Sequence, residues 1–564
     1  MRIVTRLLFL LPLAWAASPE AAAQFANPAD PCPVGTAEVR LRGAEVEAAL
    51  FTNGNLFFGN QTTNGDGYLV PLGQTGPRGF ALSPNFAANL WVGGIVGGEV
   101  RSAGSRYTNF EMRPGLTGPN GVPPTPEACA EADRIWVVSR QDVVDYLAGG
   151  APTADLAEWP VALGAPVLDG DGIEGNYDLA SGDQPAIRGD VMAFWAMTDT
   201  VAERFAFSGE QEFPLGIDVT VEAFAFRQSL FGQHTFYRFT LTNRNAVPID
   251  SAYVGLFNDY DLGDAGDDFL GTDADTQMLF VYNSQPNDDA YGVPPAFGTV
   301  VASGPVGLPN GRDDDGDGEA DEDGERIGLT ATSFFYGGTS ASTTGDPVRN
   351  LQYYRYLKGL WADGSPKRAN GSGYQQATRF PITPFAFPAD PVTESYWSEV
   401  NVDGTGTRNP SGDRRGVAST GPFRLAPGAS ESVMFAYAFG QGEDRFSSVR
   451  VLRGQARGVL AAQASGAFEP ERIGVIPPPL PLSVGRPRPN PFSGSTTVEV
   501  RGAAPEARLT VAVYDVLGRL VRAPEAVEGA RGSVEVGAGL AAGVYVVRVE
   551  GAGFGETFTI VKTR

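Results

Sequence analysis

Apolar and polar residues alternate with a period of two through much of this chain. Ile217-Asp-Val-Thr-Val-Glu-Ala-Phe-Ala-Phe226, Thr235-Phe-Tyr-Arg-Phe-Thr-Leu-Thr242, Ala252-Tyr-Val-Gly-Leu-Phe257 and Met278-Leu-Phe-Val-Tyr282 are short, rich in β-branched and aromatic residues, and separated by turn formers. That spacing predicts strands of a sandwich. Gly421–Leu425 and Val433–Phe439 flank Pro427-Gly428 and predict a hairpin. Nearer the start, Ala37-Glu-Val-Arg-Leu41 alternates among glycine-rich turns such as Asn64–Gly67 and Gly93-Gly94, as in a small β-layer. Helical periodicity appears twice. Ser139–Leu147 predicts a short helix with Ser139 as N-cap and Val143, Val144 and Leu147 facing inward. Phe446–Leu460 places Val449, Leu452, Ala456 and Leu460 on one face, although Gly454 and Gly458 weaken it.

The last stretch carries its own alternating segments, Ser495–Val500, Leu509–Tyr514, Gly543–Val549 and Glu556–Val561. Ordered motifs punctuate them: Pro489-Asn490-Pro491-Phe492, then Tyr514-Asp515-Val-Leu-Gly518-Arg519, then Gly543-Val-Tyr545, then Lys562 near the end. As an ordered set they resemble the C-terminal sorting domain of the bacterial type IX (Por) secretion system. The resemblance implies an immunoglobulin-like sandwich recognised by that machinery at the outer membrane. Trp159-Pro160, Asp169–Gly172, Gly182–Pro185, Asp259–Gly263 and Gly412–Arg415 resemble a recurring group of large secreted proteins that carry the same tail. That second likeness implies a shared β-fold and no particular chemistry.

The opposite end agrees with export. Arg2 and Arg6 precede the apolar run Leu7–Ala16, and Ala21-Ala-Ala23 offers a small-residue cleavage site, so residues 1–23 are expected to be a signal peptide. No other apolar stretch suggests a membrane-spanning helix in the mature chain. Organisation then follows as 24–150, an N-terminal β-rich segment; 151–475, a central sandwich region; 476–486, a proline-rich linker; and 487–564, the sorting domain. The fold class expected is all-β, a multidomain sandwich architecture with a few short helices, to which 72 Gly and 43 Pro are suited. Cys32 and Cys129 are the two cysteines, and in an oxidising compartment they can pair.

Charge narrows the partners. The chain carries a net −24, and residues 259–326 hold 18 Asp or Glu against Arg312 and Arg326, which is −16 of that total. Nucleic acid and anionic lipid are therefore repelled, and cations are attracted. Within the acidic run, Asp313, Asp315 and Asp317 occupy positions 1, 3 and 5 of an EF-hand-like loop, with Gly318 at the turn, the Glu319 carbonyl at 7 and Asp321 at 9. Position 12 is Gly324, so Glu322 or Glu325 must supply the last carboxylate. Calcium is the cofactor this pattern suggests. Asp169, Asp171 and Asp178, and likewise Asp259, Asp261 and Asp264, are partial matches for further sites.

Catalytic chemistry is narrowed by subtraction. One histidine, His234, cannot make a His-x-x-x-His zinc site, and no Gly-x-Ser-x-Gly or phosphate-binding Gly-x-x-x-x-Gly-Lys motif occurs. Arg188-Gly189-Asp190 spells an adhesion tripeptide, but Gly-Asp pairs recur throughout the turns. Acidic pairs remain open, as does a sugar-stacking role for Trp195, Tyr353, Tyr354, Tyr356, Trp361 and Trp397. The expectation is a secreted or surface-displayed non-catalytic β-protein with a structural, adhesive or ligand-binding role, with an extracellular glycan among the partners considered. The alternative is a carbohydrate-active hydrolase or lyase using two acids.

Overall fold

A computed structural model describes residues 32–564 apart from 60–66, 80, 105, 108–110, 119–120, 201–203, 206–210, 228–229, 309–321, 323, 338–341, 401–406, 475–482, 502–507, 529–530 and 552–553. The expected signal peptide and most of the expected linker lie outside the described residues. The chain forms two compact units, one comprising Gly150–Arg472 with the residues up to Tyr146, the other Ile473–Arg564 with Leu147–Gly149 grouped to it.

Among the described residues the larger unit is built on two nine-stranded antiparallel sheets. The first runs Glu38–Arg42, Glu47–Phe51, Asn55–Leu56, Ala87–Val96, Ile249–Tyr260, Arg414–Leu425, Ala331–Tyr336, with Tyr68–Leu69 and Glu99–Gly104 as side branches. The second runs Asp268–Asp273, Met278–Asn283, Ala296–Ser303, Ser430–Gly440, Thr235–Asn243, Ile217–Ala225, Val191–Thr198, Arg113–Pro114, with Trp136–Ser139 paired to Val191–Thr198. All four strands read from central-region alternation are present. The N-terminal segment, set apart at Gly150 in the sequence reading, contributes strands to both sheets and shares their core.

Alternation decides which side chains meet between the sheets. In Thr235–Asn243, Tyr237, Phe239 and Leu241 are buried in the common core, while Arg238, Thr240 and Thr242 face the other way and are only half-buried. Register sets Phe239 opposite Val221 on one side and Val433 on the other. An aromatic cluster fills the centre: Phe57 meets Tyr68 at 4.7 Å between ring centroids, Tyr68 meets Phe297 at 5.2 Å, and Phe297 stacks on Tyr437 at 5.5 Å. Their hydroxyls are satisfied within the core, since Tyr437 Oη donates to Asn258 Oδ1 (2.7 Å) and Tyr68 Oη bonds Thr235 Oγ1 (3.1 Å).

The outer faces are covered by helices. Arg445–Ala464 lies on the second sheet with Val449, Leu452, Ala456 and Val459 buried, so Val459 takes the inward place expected of Leu460. Its capping box, Asp444 with Ser447, starts it cleanly, and a Cβ at Gly454 would meet nothing, so no steric constraint demands glycine there. Asn350–Leu357, which sequence periodicity did not reveal, lays Tyr353 on Trp91 (4.6 Å) and Tyr356 on Phe335 (5.0 Å). The helix Arg140–Leu147 is capped reciprocally by Ser139 and Asp142, but only Val143 is buried and Val144 is exposed.

The expected hairpin around Pro427-Gly428 does not form. Arg414–Leu425 pairs with Ile249–Tyr260 and Ala331–Tyr336 in the first sheet, whereas Ser430–Gly440 pairs with Thr235–Asn243 and Ala296–Ser303 in the second. The turn therefore carries the chain across the sandwich. Local turn chemistry is the same in both cases, and only the partner strands distinguish them.

Among the described residues the smaller unit has seven strands in two sheets. Ser483–Val484, Thr496–Arg501 and Arg531–Val536 form one; Leu520–Glu528, Arg508–Asp515, Gly543–Gly551 and Phe554–Lys562 form the other. Phe492, Val498, Val511, Val513, Val534, Val536, Val547, Val549 and Ile560 are buried as their common core.

Cys32 and Cys129 are joined in a disulfide, with Cα atoms 5.7 Å apart and 97 positions between them in sequence. Closing so long a loop removes much of the unfolded chain's freedom. Replacing both cysteines with serine is expected to lower the unfolding free energy by about 2–4 kcal/mol, read from denaturant melts of the mature protein.

Candidate functional site

Carboxylates converge at two places among the described residues. Asp169, Asp171 and Asp183 bring oxygens within 4.8 Å of one another, and so do Asp259, Asp261 and Asp413. In each case two of the three residues were recognised from the sequence and the third was not.

The first group sits on the long loop 169–183, closed by Val167–Leu168 pairing with Gln184–Pro185. Gly170 approaches the Gly182 carbonyl so closely that a Cβ would lie 2.2 Å from its oxygen, so the turn requires glycine there. Asp183 is buried, accepts from the backbone N–H of Asp178 (2.7 Å) and Gly170 (2.8 Å), and is held below the usual carboxylate range chiefly by those bonds. Asp178, expected as the third ligand, instead caps the turn Leu179–Ser181 by accepting from Ala180 and Ser181 N–H. Arg472 secures the loop by donating to the carbonyls of Leu168, Asp169 and Gly182.

The second group lies at the end of the central strand Ile249–Tyr260. Burial pushes the Asp259 carboxyl up to about 6, against the opposing pull of Arg415, whose Nε lies 3.0 Å away; Tyr107 Oη also donates to it at 2.5 Å. Asp261 is raised well above the ordinary range by burial and by the neighbouring Asp259 and Asp413. Asp413, brought in from the adjacent strand's approach, ion-pairs with the same Arg415 (2.6 Å). One guanidinium thus faces three carboxylates. Asp264 is not among them: it caps the turn Ala265–Asp267 by accepting from Gly266 N–H. Asp183 and Asp413 lay in Gly182–Pro185 and Gly412–Arg415, segments that stood out in the sequence for a different reason.

Of the acidic run, Asp313, Asp315, Asp317, Glu319 and Asp321 lie outside the described residues. Its exit is anchored: Glu325 is buried, its N–H donates to the Glu322 carbonyl (3.2 Å), and Val306 bridges to Arg326 across the neck.

In the smaller unit the tail motifs close the sandwich. Asn490 works as an extra rung beside the last strand, donating to the Thr559 carbonyl and accepting from Val561 N–H, both at 2.8 Å. Pro489 and Pro491 flank it and position Phe492, which is buried at the centre of the core. Lys562 reaches back over the Phe492 ring at 5.1 Å. Asp515, at the end of the strand that carries Tyr514, accepts from Leu517 and Arg519 N–H and pairs with Arg519 Nε (2.7 Å), while Gly518 takes φ +77°. Gly543 opens its strand opposite Lys562, and Tyr545, opposite Asp515, donates to the Ala541 carbonyl.

Residues 489–562 match the family described as the secretion system C-terminal sorting domain. This type IX sorting domain marks the protein for export to the cell surface or the extracellular space. No curated protein matches the chain. Among solved structures, one titled a polysaccharide lyase is 11% identical, with 62% of this chain and 34% of that chain covered and a TM-score of 0.17, a likeness too low to carry an argument. This chain therefore spans about a third of that structure's length. No helix among the described residues is long and apolar enough to cross a membrane.

The remaining candidates are interior. Trp195, Tyr353, Tyr354, Tyr356, Trp361 and Trp397 are all buried, so they form core and not a sugar-stacking platform. Arg188 of the adhesion tripeptide is buried and paired with Glu222. His234 is fully buried beside Phe231, and neither ring nitrogen has a hydrogen-bond partner; burial pushes its pKa down to about 4. A neutral imidazole in the fold and an ordinary one in the unfolded chain means that unfolding takes up a proton between pH 6.5 and 4. Stability is therefore lost as pH falls through that window, by about 3 kcal/mol from this group. Because the histidine is unique, its proton resonances should titrate near pH 4, and the difference in unfolding free energy between wild type and His234→Leu should change by that amount between pH 7 and 4. A midpoint near 6.5 would refute the neutral, sealed histidine.

Proposed function

We propose that this chain is a calcium-stabilised, non-catalytic β-sandwich protein that is displayed on or released from the cell surface after type IX export, with a structural, adhesive or ligand-binding role. The observation that carries the reading is the sorting domain at residues 489–562. The apolar N-terminal run expected to act as a signal peptide supports the first export step, across the inner membrane. Seven antiparallel strands in sheets of three and four support the immunoglobulin-like reading of the tail.

Calcium is supported by the chemistry of the donor sets. Oxygens within 4.8 Å of one another can share a cation whose oxygen ligands sit at about 2.3–2.6 Å. Asp169, Asp171 and Asp183 would hold one ion, Asp259, Asp261 and Asp413 a second, and Asp313, Asp315, Asp317, Glu319 and Asp321 with Glu322 or Glu325 a third. Beside Asp259, Asp261 and Asp413 a cation would relieve repulsion that Arg415 leaves incompletely neutralised.

Deleting residues 486–564 is expected to retain the protein in the periplasm with the larger unit folded, since that unit has its own core. Cell fractionation with limited proteolysis reads both, and normal extracellular levels of the truncated chain would sink the export reading. Calcium at about tenfold its dissociation constant should raise the melting temperature over chelator by about 1.5 °C for each occupied site, the equivalent of about 1.4 kcal/mol each in a unit of this size. Asp183→Asn, Asp413→Asn and Asp317→Ala, tested singly, should each remove part of that shift. Identical melting with and without calcium in wild type would leave the acidic loops as solvated turns.

A further inference from the structure

On the outer face of the second sheet, beyond the end of the helix Arg445–Ala464, lies a cavity of about 110 Å³. Its walls bring together Arg188, Arg238 and Arg326 with Ser303, Ser432 and Gln463, and a single lining carboxylate, Glu469, opposes the three guanidinium groups. Glu222, Glu431 and Glu469 balance the three guanidinium groups, so fixed donor geometry and not net charge is what the cavity offers a ligand.

Strand register builds it. Arg238 stands opposite Glu222 on one neighbouring strand and Met434 on the other, and Ser303 also pairs with Met434 across a register shift after Val301. Glu222, itself buried, accepts from Arg188 Nε (2.9 Å) through one oxygen and from Arg238 Nη1 (2.6 Å) through the other, holding the two guanidinium groups side by side. Arg188 Nη1 donates to the Phe468 carbonyl (2.9 Å) and Glu469 Oε2 (3.1 Å). Arg326 is fixed through Nη1 by the carbonyls of Gly304 (2.7 Å) and Ser432 (3.0 Å) and by Glu431 Oε1 (3.2 Å).

These bonds orient the arginines without exhausting them. Among the described residues, Nη2 of Arg188 and both Nε and Nη2 of Arg238 and Arg326 have no hydrogen-bond partner, and none of these atoms is sealed from solvent. Planar donors fixed in place by carboxylates behind them suit an incoming carboxylate or sulfate, because the ordering cost has been met before the ligand arrives.

We propose that this cavity is an oxyanion-binding site, taking the carboxylate or sulfate group of a small acid, either a free inorganic anion or the acidic group of a sugar. The site shares no residue with the two described carboxylate groups or with the sorting domain.

The test is isothermal titration calorimetry on the mature full chain in low-chloride buffer, since surrounding salt weakens such contacts. Sodium sulfate, sodium glucuronate and neutral glucose are the probes. At least one acid should bind with a millimolar or tighter dissociation constant, and glucose should not. Arg238→Gln should weaken that binding by at least about tenfold, the loss of one charge-assisted contact. Ser303→Leu, which fills the cavity and leaves every charge in place, should weaken it comparably and decides the matter if Arg238→Gln fails to fold. Sulfate binding tighter than glucuronate identifies an inorganic or sulfate-ester ligand; glucuronate binding tighter identifies a sugar acid. No acid binding up to about 10 mM, equal binding of glucose, or acid binding unaffected by either folded variant would overturn the proposal.

Discussion

The larger unit depends on two neighbouring crossings between its sheets, and Asn243 holds both. At one, the chain leaves Thr235–Asn243 for Ile249–Tyr260; at the other, it leaves Arg414–Leu425 for Ser430–Gly440. Asn243 is fully buried, exchanges backbone bonds with Gly428 (2.9 Å) and Ala429 (3.0 Å), and donates through Nδ2 to the Leu425 (2.9 Å) and Val247 (3.0 Å) carbonyls. Each buried carbonyl left without that amide would cost about 1–3 kcal/mol. With both crossings fixed, the inner faces of the two sheets are forced together, and the cluster of Phe57, Tyr68, Tyr237, Phe297 and Tyr437 is the consequence.

That closure sorts polar groups into two populations. Those the sandwich seals in are partnered pairwise or left neutral, as with Tyr437 and Asn258, or His234 packed against Phe231. Those at the strand ends and on the outer face are gathered in groups. Acids collect in the turns at Asp169–Asp183 and beside Asp259, and arginines collect on the outer face around Arg238. The same rule of alternation explains the second case, because Tyr237 and Phe239 face the core while Arg238 between them must face outward.

In the sorting domain, the motif residues are largely structural. Asn490, Phe492 and Lys562 knit the entering segment to the last strand, and Asp515, Gly518 and Arg519 form one turn. A set of residues that looks like an address in one dimension is, in three, the means by which a small sandwich closes on about nine buried apolar side chains. Exposed apolar residues at the same turn, Val516 and Leu517, are not part of that closure.

By itself the sequence determined the local properties: strand period, the tail and its ordered motifs, the acidic loops, and the presence of a single histidine that cannot form a His-x-x-x-His site. These are legible because they depend on residues within a few positions of one another. Only tertiary structure decided that the turn at Pro427-Gly428 crosses between sheets, that the N-terminal strands belong to the central core, and that Asn350–Leu357 is a helix resting on Trp91. It also decided the third member of each carboxylate group: Asp178 and Asp264 are spent on capping their own turns, while Asp183 and Asp413 arrive by strand pairing. The three arginines around the outer-face cavity are likewise far apart in sequence. Long-range pairing is chosen by burial of the whole sheet, a sum over many strands that no single segment records.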